Sequence, residues 1–408
     1  MSLIKLTLKS IVSRKLISLL LILSIGLSTS LLIGVQKIKY SAKKSFSHSI
    51  SGTDLIAGSR SGDLQLLLYT VFRHGQPVSG MSWESIKTIS SFSEVKWIVP
   101  MSLGDSHRGY PVVGTSLAYF DHYHYGKKQS LRFKQGSAFN NTFDAVLGSE
   151  VAKHYNYSLN DMLTLSHGIA KGNLPLHKNN LFNVVGILEA TGTPVDKTVH
   201  IPLEGITALH IPPNKRNNIN QLDLTPISVT SCLIGLKSKF SIFSIQQRIN
   251  NWSKEPLMAI IPGVSLSRLW SIISTVDSAF LIITILVTII AFIGLLLSLF
   301  MSLQQRKREL AILRIMGAHP LQLAMMLTLE SLFITISGVI LGIVLVMSVG
   351  IFLTPILEEK MGLILSLTQL SFNELYLSLG IILFGLLTSF IPAFLAYRKS
   401  LSEGFISI

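Results

Sequence analysis

The side chains best suited to chemistry crowd into one short stretch, "DHYHYG", Asp121 to Gly126. His122 and His124 stand two residues apart. On a strand they share one face, and a distant third ligand would complete a zinc site. Nothing in the sequence fixes that third ligand, so the plainer reading is a polar, aromatic surface loop with no metal. The single cysteine, Cys232, leaves no intrachain disulfide and no cysteine metal cluster. The chain contains no G-x-x-x-x-G-K-[ST], G-x-S-x-G, H-E-x-x-H or C-x-x-C motif. These observations predict a protein that is not an enzyme and holds no nucleotide of its own.

The elements that carry these residues follow from composition. Of 408 residues, 49% are hydrophobic and 14% charged, and mean hydropathy is +0.52. Soluble domains carry about 25% charged residues. A net charge of +14 with pI ≈ 9.8 would suit nucleic acid, but in so apolar a chain it fits charge flanking membrane spans better. No nucleic acid is expected. Four runs approach or exceed the ~20 apolar residues that cross a bilayer. They are Leu16–Val35, Ala279–Leu303, Leu323–Val349 and Leu375–Ala396. The first follows Lys5, Lys9, Arg14 and Lys15, is longer than the roughly 7–15 residues of a signal-peptide core, and lacks an A-x-A site. It reads as an uncleaved anchor. Ahead of it, "LIKLTLKSIVS" fits a short helix lying in the lipid interface.

Positive charge orients the spans. Basic residues cluster before span one, between spans two and three, and at Arg398 and Lys399 after span four. Gly350–Glu374, read as the short loop between spans three and four, has Lys360 against Glu358, Glu359 and Glu374. The positive-inside rule places both termini and the 304–322 loop in the cytoplasm, with the long segment after span one outside.

That outer segment reads as a folded α+β domain. "EVKWIVPMSLG", "GYPVVGTS", "DAVLGSE", "DMLTLSHG", "LFNVVGILEAT" and "TVHIPLE" have strand character. "SWESIKTISSF", "EVAKHYNY" and "SIFSIQQRINNW" read as helices, while Gly168–Asn180 and Ile211–Asn220 read as loops. From Leu266 helical spacing runs unbroken into span two, predicting a stalk. The expected divisions are 1–35 (interfacial helix and span one), 36–265 (outer domain), 266–303 (stalk and span two), 304–319 (cytoplasmic helix) and 320–408 (spans three and four with their outer loop and a cytoplasmic C-terminus).

Inside the spans, Gly26, Ser30 and Gly34 recur every four residues, as do Gly338 and Gly342. Small residues at that spacing let another helix approach closely, within the chain or between chains. Glu330 is the acidic residue inside a span. Ten residues beyond Pro320, about 15 Å at ~1.5 Å per residue, it belongs near the inner interface. There it either faces interfacial water or pairs with a basic residue of 304–314.

The stretch "QQRKRELAILRIMGAHPLQL", Gln304 to Leu323, is both basic and apolar. At 100° per residue Leu310 and Leu313 fall on one side, Ile312 and Met316 on another, Ala311 and Ile315 on a third. A helix apolar all round must be covered all round. The membrane surface covers one side, and Arg and Lys stems a little more. The remainder points to a cytoplasmic protein partner. Gly317 suits a helix stop and Pro320 the next start.

These residues resemble the signature of FtsX/MacB-type permeases of bacterial ABC systems, the type VII, lipoprotein-releasing-like group. The matching positions are Arg306 to Glu309, Ala311, Leu313, Arg314, Gly317, Ala318 and Leu329–Glu330. One span, a large outer domain and three further spans is that family's layout. "SISGTDLIAGSRSGDLQLLLYTVF", "GDSHRGYPVVGT" and "VVGILEATGTPVDKTVHIPLEGI" resemble its MacB-like periplasmic core domain. The resemblance implies a multi-pass α-helical protein of the bacterial inner membrane, with four transmembrane helices and a large α+β domain on the periplasmic side. Arg306, Arg308, Glu309, Leu310, Leu313, Arg314, Met316 and Gly317 would form a coupling helix docked on a separate ABC ATPase dimer, which uses ATP and Mg. The remaining partners implied are a second permease copy or paralogue, membrane lipid and a possible periplasmic protein. ATP-driven motion would reach the periplasmic domain by mechanotransmission, to export, extract or hand over a substrate. The alternative is a membrane-anchored periplasmic binding or regulatory module, linked to metal or to a cell-wall regulator, that transports nothing.

Overall fold

The computed structural model describes residues 3–75, 77, 79–167, 176–211, 222–305, 319–361 and 371–402. The chain divides into a helical unit, drawn from residues 1–41 and from most of 274–408, and an α/β unit, essentially 42–273.

Apolar composition and length build the helical unit. Helices are numbered along the chain: α1 (Leu3–Ser13) and α2 (Lys15–His48) open it, and α9 (Pro262–Gln305), α10 (Pro320–Met361) and α11 (Phe372–Ser402) follow the α/β unit. Four of these, α2 and α9 to α11, are long and apolar enough to cross a membrane. Pro262 and Pro320 open α9 and α10, where a missing N–H removes no intrahelical bond. With 44 residues α9 spans about 66 Å, roughly twice the ~30 Å hydrocarbon core. It is one continuous helix through the stalk expected from Leu266 onward. Two helices overrun the sequence expectation: α2 continues past Val35 to His48, and α10 passes Val349 to Met361. Twelve residues read as outer loop, Gly350 to Met361, are therefore helical; Leu357 to Met361 are good helix formers that carry the helix beyond the apolar run and past Pro355.

The α/β unit is a mixed sheet clothed by short helices. Its strands are β1 (Leu55–Ser59), β2 (Val95–His107), β3 (Tyr110–Thr115), β4 (Phe133–Gly136), β5 (Asp144–Leu147), β6 (Met162–His167), β7 (Leu176–Leu188), β8 (Val199–Pro202), β9 (Ser231–Leu236) and β10 (Leu257–Ile260). The order is β10-β1-β9-β2-β3-β8-β5-β7-β4, with β6 pairing β7 and β2. Pairing is parallel at β8–β3 and β7–β5 and antiparallel elsewhere in this sheet. The helices are α3 (Asp63–Val71), α4 (Trp83–Ser90), α5 (Ala118–His122), α6 (Ser149–Tyr155), α7 (Leu203–Leu209) and α8 (Ile242–Asn250).

Period-two alternation fixes which helices cover which face. On β1, Leu55 and Ala57 join a core with Ile86 and Ile89 of α4 and Ile245 and Ile249 of α8. Between them Ile56 points the other way, into a core with Leu66 and Leu67 of α3 and Tyr119 of α5. The α4 start is locally encoded. Ser82 Oγ accepts the Ser85 N–H at 3.2 Å, and the Glu255 carboxylate accepts the Ser82 N–H and hydroxyl.

All six expected strand segments and all three expected helices in this unit are present. Leu176–Asn180, read as part of a loop, instead begins β7.

Candidate functional site

Within the helical unit, contacts converge on α2. Each involves a residue type that is expensive or unusual inside a span. Gly26 and Gly338 face each other across α2 and α10. A Cβ on Gly338 would lie 2.7 Å from Ile25 Cγ2, and one on Gly342 would lie 2.7 Å from the Gly26 carbonyl. Only glycine permits this approach. The four-residue pattern thus lies in a contact between α2 and α10 of one chain. Ser30 is half-buried one turn on. A Cβ on Gly34 would meet Val346 Cγ2 at 4.0 Å, an ordinary contact.

Hydrogen bonds extend the set. Ser28 Oγ lies 2.6 Å from Thr288 Oγ1, joining α2 to α9. Near the far end of α2, Lys37 Nζ lies 3.3 Å from Glu374 Oε2 on α11, with side-chain exposures of 3% and 8%. The same carboxylate oxygen accepts the Ser371 N–H at 2.9 Å. Ser331 of α10 donates to the Gly385 carbonyl of α11 at 3.0 Å. So α2 touches α9 through hydroxyls, α10 through glycines and α11 through a buried ion pair.

Glu330 is buried on α10, and Ser10 Oγ of α1 donates to its Oε2 at 3.1 Å. Its open-water reading is corrected by that burial. This hydrogen-bond donor comes from the N-terminal helix, whose Ser and Thr positions carry no sequence signal for such a role. The turn after α1 holds Arg14, whose Nη2 donates to the Ser302 carbonyl of α9 at 3.4 Å. The expected docking residues Arg306, Arg308, Glu309, Leu310, Leu313, Arg314, Met316 and Gly317 lie outside the described residues, as does any pairing of Glu330 with 306–314.

The histidine pair is not arranged as a strand would arrange it. His122 ends α5 and stacks on Trp97 at 4.8 Å and 6°. His124 begins a two-residue strand, and its Nδ1 sits 2.7 Å from the His122 carbonyl. The shared-face premise is corrected: α5 supplies one imidazole and the next element the other. Among the described residues no three His, Cys, Asp or Glu side chains gather to hold a metal. Elsewhere in the α/β unit, His107 is buried, with Nδ1 2.7 Å from the Thr164 carbonyl and Nε2 3.0 Å from the Tyr157 hydroxyl. Burial, outweighing the Thr164 carbonyl, pushes its pKa down.

A cavity of about 310 Å³ lies in the α/β unit between Ile50, Leu67, Phe72 and Leu266. Ser51 and Thr53 also line it, and their hydroxyls are buried without partners. The walls suit an apolar group, and the hydroxyls would bond a polar one. No nucleophile or acid–base pair lines it.

Four membrane-crossing helices with a large α/β domain set between the first and second define a multi-pass membrane protein with one substantial domain outside the bilayer. Family comparison agrees over most of the chain. Residues 18–251 match the MacB-like periplasmic core domain and residues 281–401 the FtsX-like permease C-terminal domain. The chain belongs to the FtsX/MacB-type ABC permease family, the membrane component of an ABC system that works with an ABC ATPase. Among solved structures it is similar to the periplasmic region of MacB from Actinobacillus actinomycetemcomitans, at 12% identity and TM-score 0.35, covering 54% of this chain and 94% of that one. It is also similar to the extracellular domain of the noncanonic ABC-type transporter YknZ from Gram-positive bacteria, at 13% identity and TM-score 0.30, covering 50% and 98%. A search among curated proteins gives no match.

Proposed function

We propose that this permease relays motion from a separate ATPase to its own outer domain, acting by mechanotransmission. The observation that carries the reading is the hub role of α2. Its contacts with Thr288, Gly338, Gly342 and Glu374 tie three other spans to one helix. A displacement imposed on any of them is felt by α2, and packed helices shift between discrete arrangements rather than deforming continuously. The domain boundary falls within both α2 and α9, so both helices carry residues of each unit.

The cytoplasmic input is the segment Arg306–Gly317. Its mix of apolar and basic residues in the sequence would suit a groove on a dimeric ATPase, which binds ATP and Mg. In this reading the protein sits in the inner membrane with the α/β unit on the periplasmic side. A second permease, a copy or a paralogue, completes the pair. The long run of exposed apolar residues on α9, including Ile282, Ile283, Leu286 and Ile290, suits both lipid and such a partner. The outcome is export, extraction or hand-over of a substrate at the outer face.

Co-purification tests the input. Leu310→Glu and Arg314→Glu are expected to abolish capture of the ATPase while the permease still reaches the membrane. Full capture, with stimulated ATP hydrolysis in both variants, would overturn the docking assignment.

A further inference from the structure

Arg73 breaks the local rules of its position. It follows α3 with φ +57°, the left-handed region where glycine or asparagine usually ends a helix. The His74 N–H bonds the Leu68 carbonyl across that turn. Yet Arg73 is only 7% exposed and belongs to the interior. Its Nη2 lies 3.4 Å from the Tyr119 hydroxyl, while Nε and Nη1 are buried without a hydrogen-bond partner. Among the described residues, the ion pairs of this unit use other cations: Lys197 with Glu150, Lys254 with Glu84 and Arg268 with Asp63.

Among the described residues, no carboxylate forms an ion pair with Arg73. Tyr119, Tyr123 and His200 are buried, with the Tyr119 ring 5.0 Å from Tyr123 and 5.1 Å from His200. Burial, then Arg73, pushes the His200 pKa down to about 3, so the imidazole is neutral. Burial also raises both phenols although Arg73 pulls them down. Asp196, a buried acid that Tyr123 senses, is engaged elsewhere. Its carboxylate accepts the Thr191 and Gly192 N–H groups and the Thr191 hydroxyl.

A buried histidine escapes an unpaired charge by losing its proton; a guanidinium cannot. Burying an ion without a partner is among the costliest arrangements in a core. We propose that Arg73, with Tyr119 and His200, forms a closed binding site for one small inorganic anion of halide size. The single cation sets the charge at minus one. The unpartnered Arg73 Nε–H and Nη1–H groups would supply the bonds, and the deep burial of Arg73 favours a small anion. The anion would join the end of α3 to α5 and β8, stiffening the centre of the outer domain.

Thermal unfolding of the full-length protein in detergent tests this, with sodium chloride titrated against sodium gluconate at constant ionic strength. The wild type is expected to show a saturable rise in Tm of about 2–5 °C with chloride. Tyr119→Phe should need about tenfold more chloride, and Arg73→Gln should lose the response. Equal Tm values in the two salts, or an unchanged response in Arg73→Gln, would overturn the proposal. If Arg73→Gln does not fold, crystals of the full chain in sodium bromide decide. An anomalous peak within bonding distance of Arg73 Nε or Nη1 supports the site, and its absence there refutes it.

Discussion

Lys37 and Glu374 are charged side chains withdrawn from solvent within the helical unit, so each depends on the other. Lys37→Met leaves a carboxylate buried and uncompensated, a loss expected at about 3–5 kcal/mol. Lys37→Met combined with Glu374→Gln should recover most of it, as read by thermal unfolding in detergent. Equal losses in single and double variants would mean the ion pair is incidental. Glycine contacts give a second expectation at this scale. A side chain at Gly342 meets backbone and Thr29 at 2.7 Å, so Gly342→Leu should lower stability by about 1–3 kcal/mol. Gly380 has nothing within 4 Å of an added Cβ, so Gly380→Ala should be neutral or slightly stabilising.

His200 sets a pH dependence in the α/β unit. Its folded pKa is depressed to about 3 against 6.5 unfolded. Between those values the unfolded chain binds a proton that the folded chain does not, so stability falls as pH drops from about 6.5 toward 3. Each pH unit in that window costs about 1.4 kcal/mol per such histidine. His200→Gln should flatten the slope of unfolding free energy against pH below 6.5. An unchanged slope would assign the acid sensitivity to other groups.

At the scale of elements, α1 is amphipathic in an unusual sense. Thr7 and Ser10 are buried, whereas Ile4, Leu8 and Val12 are exposed at 52%, 44% and 68% beside exposed Lys5 and Lys9. The polar face meets protein through Glu330, leaving the apolar face for lipid. A cysteine replacing Leu8 should therefore resist a water-soluble maleimide in nanodiscs and react once the lipid is removed by denaturation. Ready labelling in the intact nanodisc would contradict an interfacial α1. Cys232 is fully buried, so the background is low in the intact nanodisc, and the parent chain gives the Cys232 contribution after denaturation.

Elements also show why some of the fold was legible and some was not. Strands such as "GYPVVGTS" sit between turn signals and were readable locally. The central strands "LIAGS" and "SCLIGL" are buried on every residue, so they lack alternation and give no periodic signal. Gly26, Gly338 and Gly342 were legible because helix packing repeats every four residues. That they meet within the chain was not, since spacing on one helix says nothing of its partner. Lys37–Glu374 and Ser10–Glu330 join residues remote in sequence, and ordinary flanking residues conceal them. That His122 and His124 fall on different elements was not legible, because α5 ends between the two rings, a boundary too local for pattern to fix.

For the whole molecule the claim is that hydrolysis in one subunit becomes movement in another. The family supplies the ABC setting, the helical unit supplies a connected bundle, and in the proposed reading the α/β unit is the part moved. Its most direct test is a distance measured across the chain. Spin labels at Lys153→Cys in the outer domain and Leu387→Cys on α11, both exposed positions, would be placed in the assembled permease–ATPase complex in nanodiscs. Electron–electron resonance would compare the nucleotide-free state with the ATP-bound state of a hydrolysis-deficient ATPase. The account predicts a shifted distance distribution on ATP binding that disappears in Arg314→Glu. An identical distribution in both states, with the ATPase bound and saturated, would contradict it.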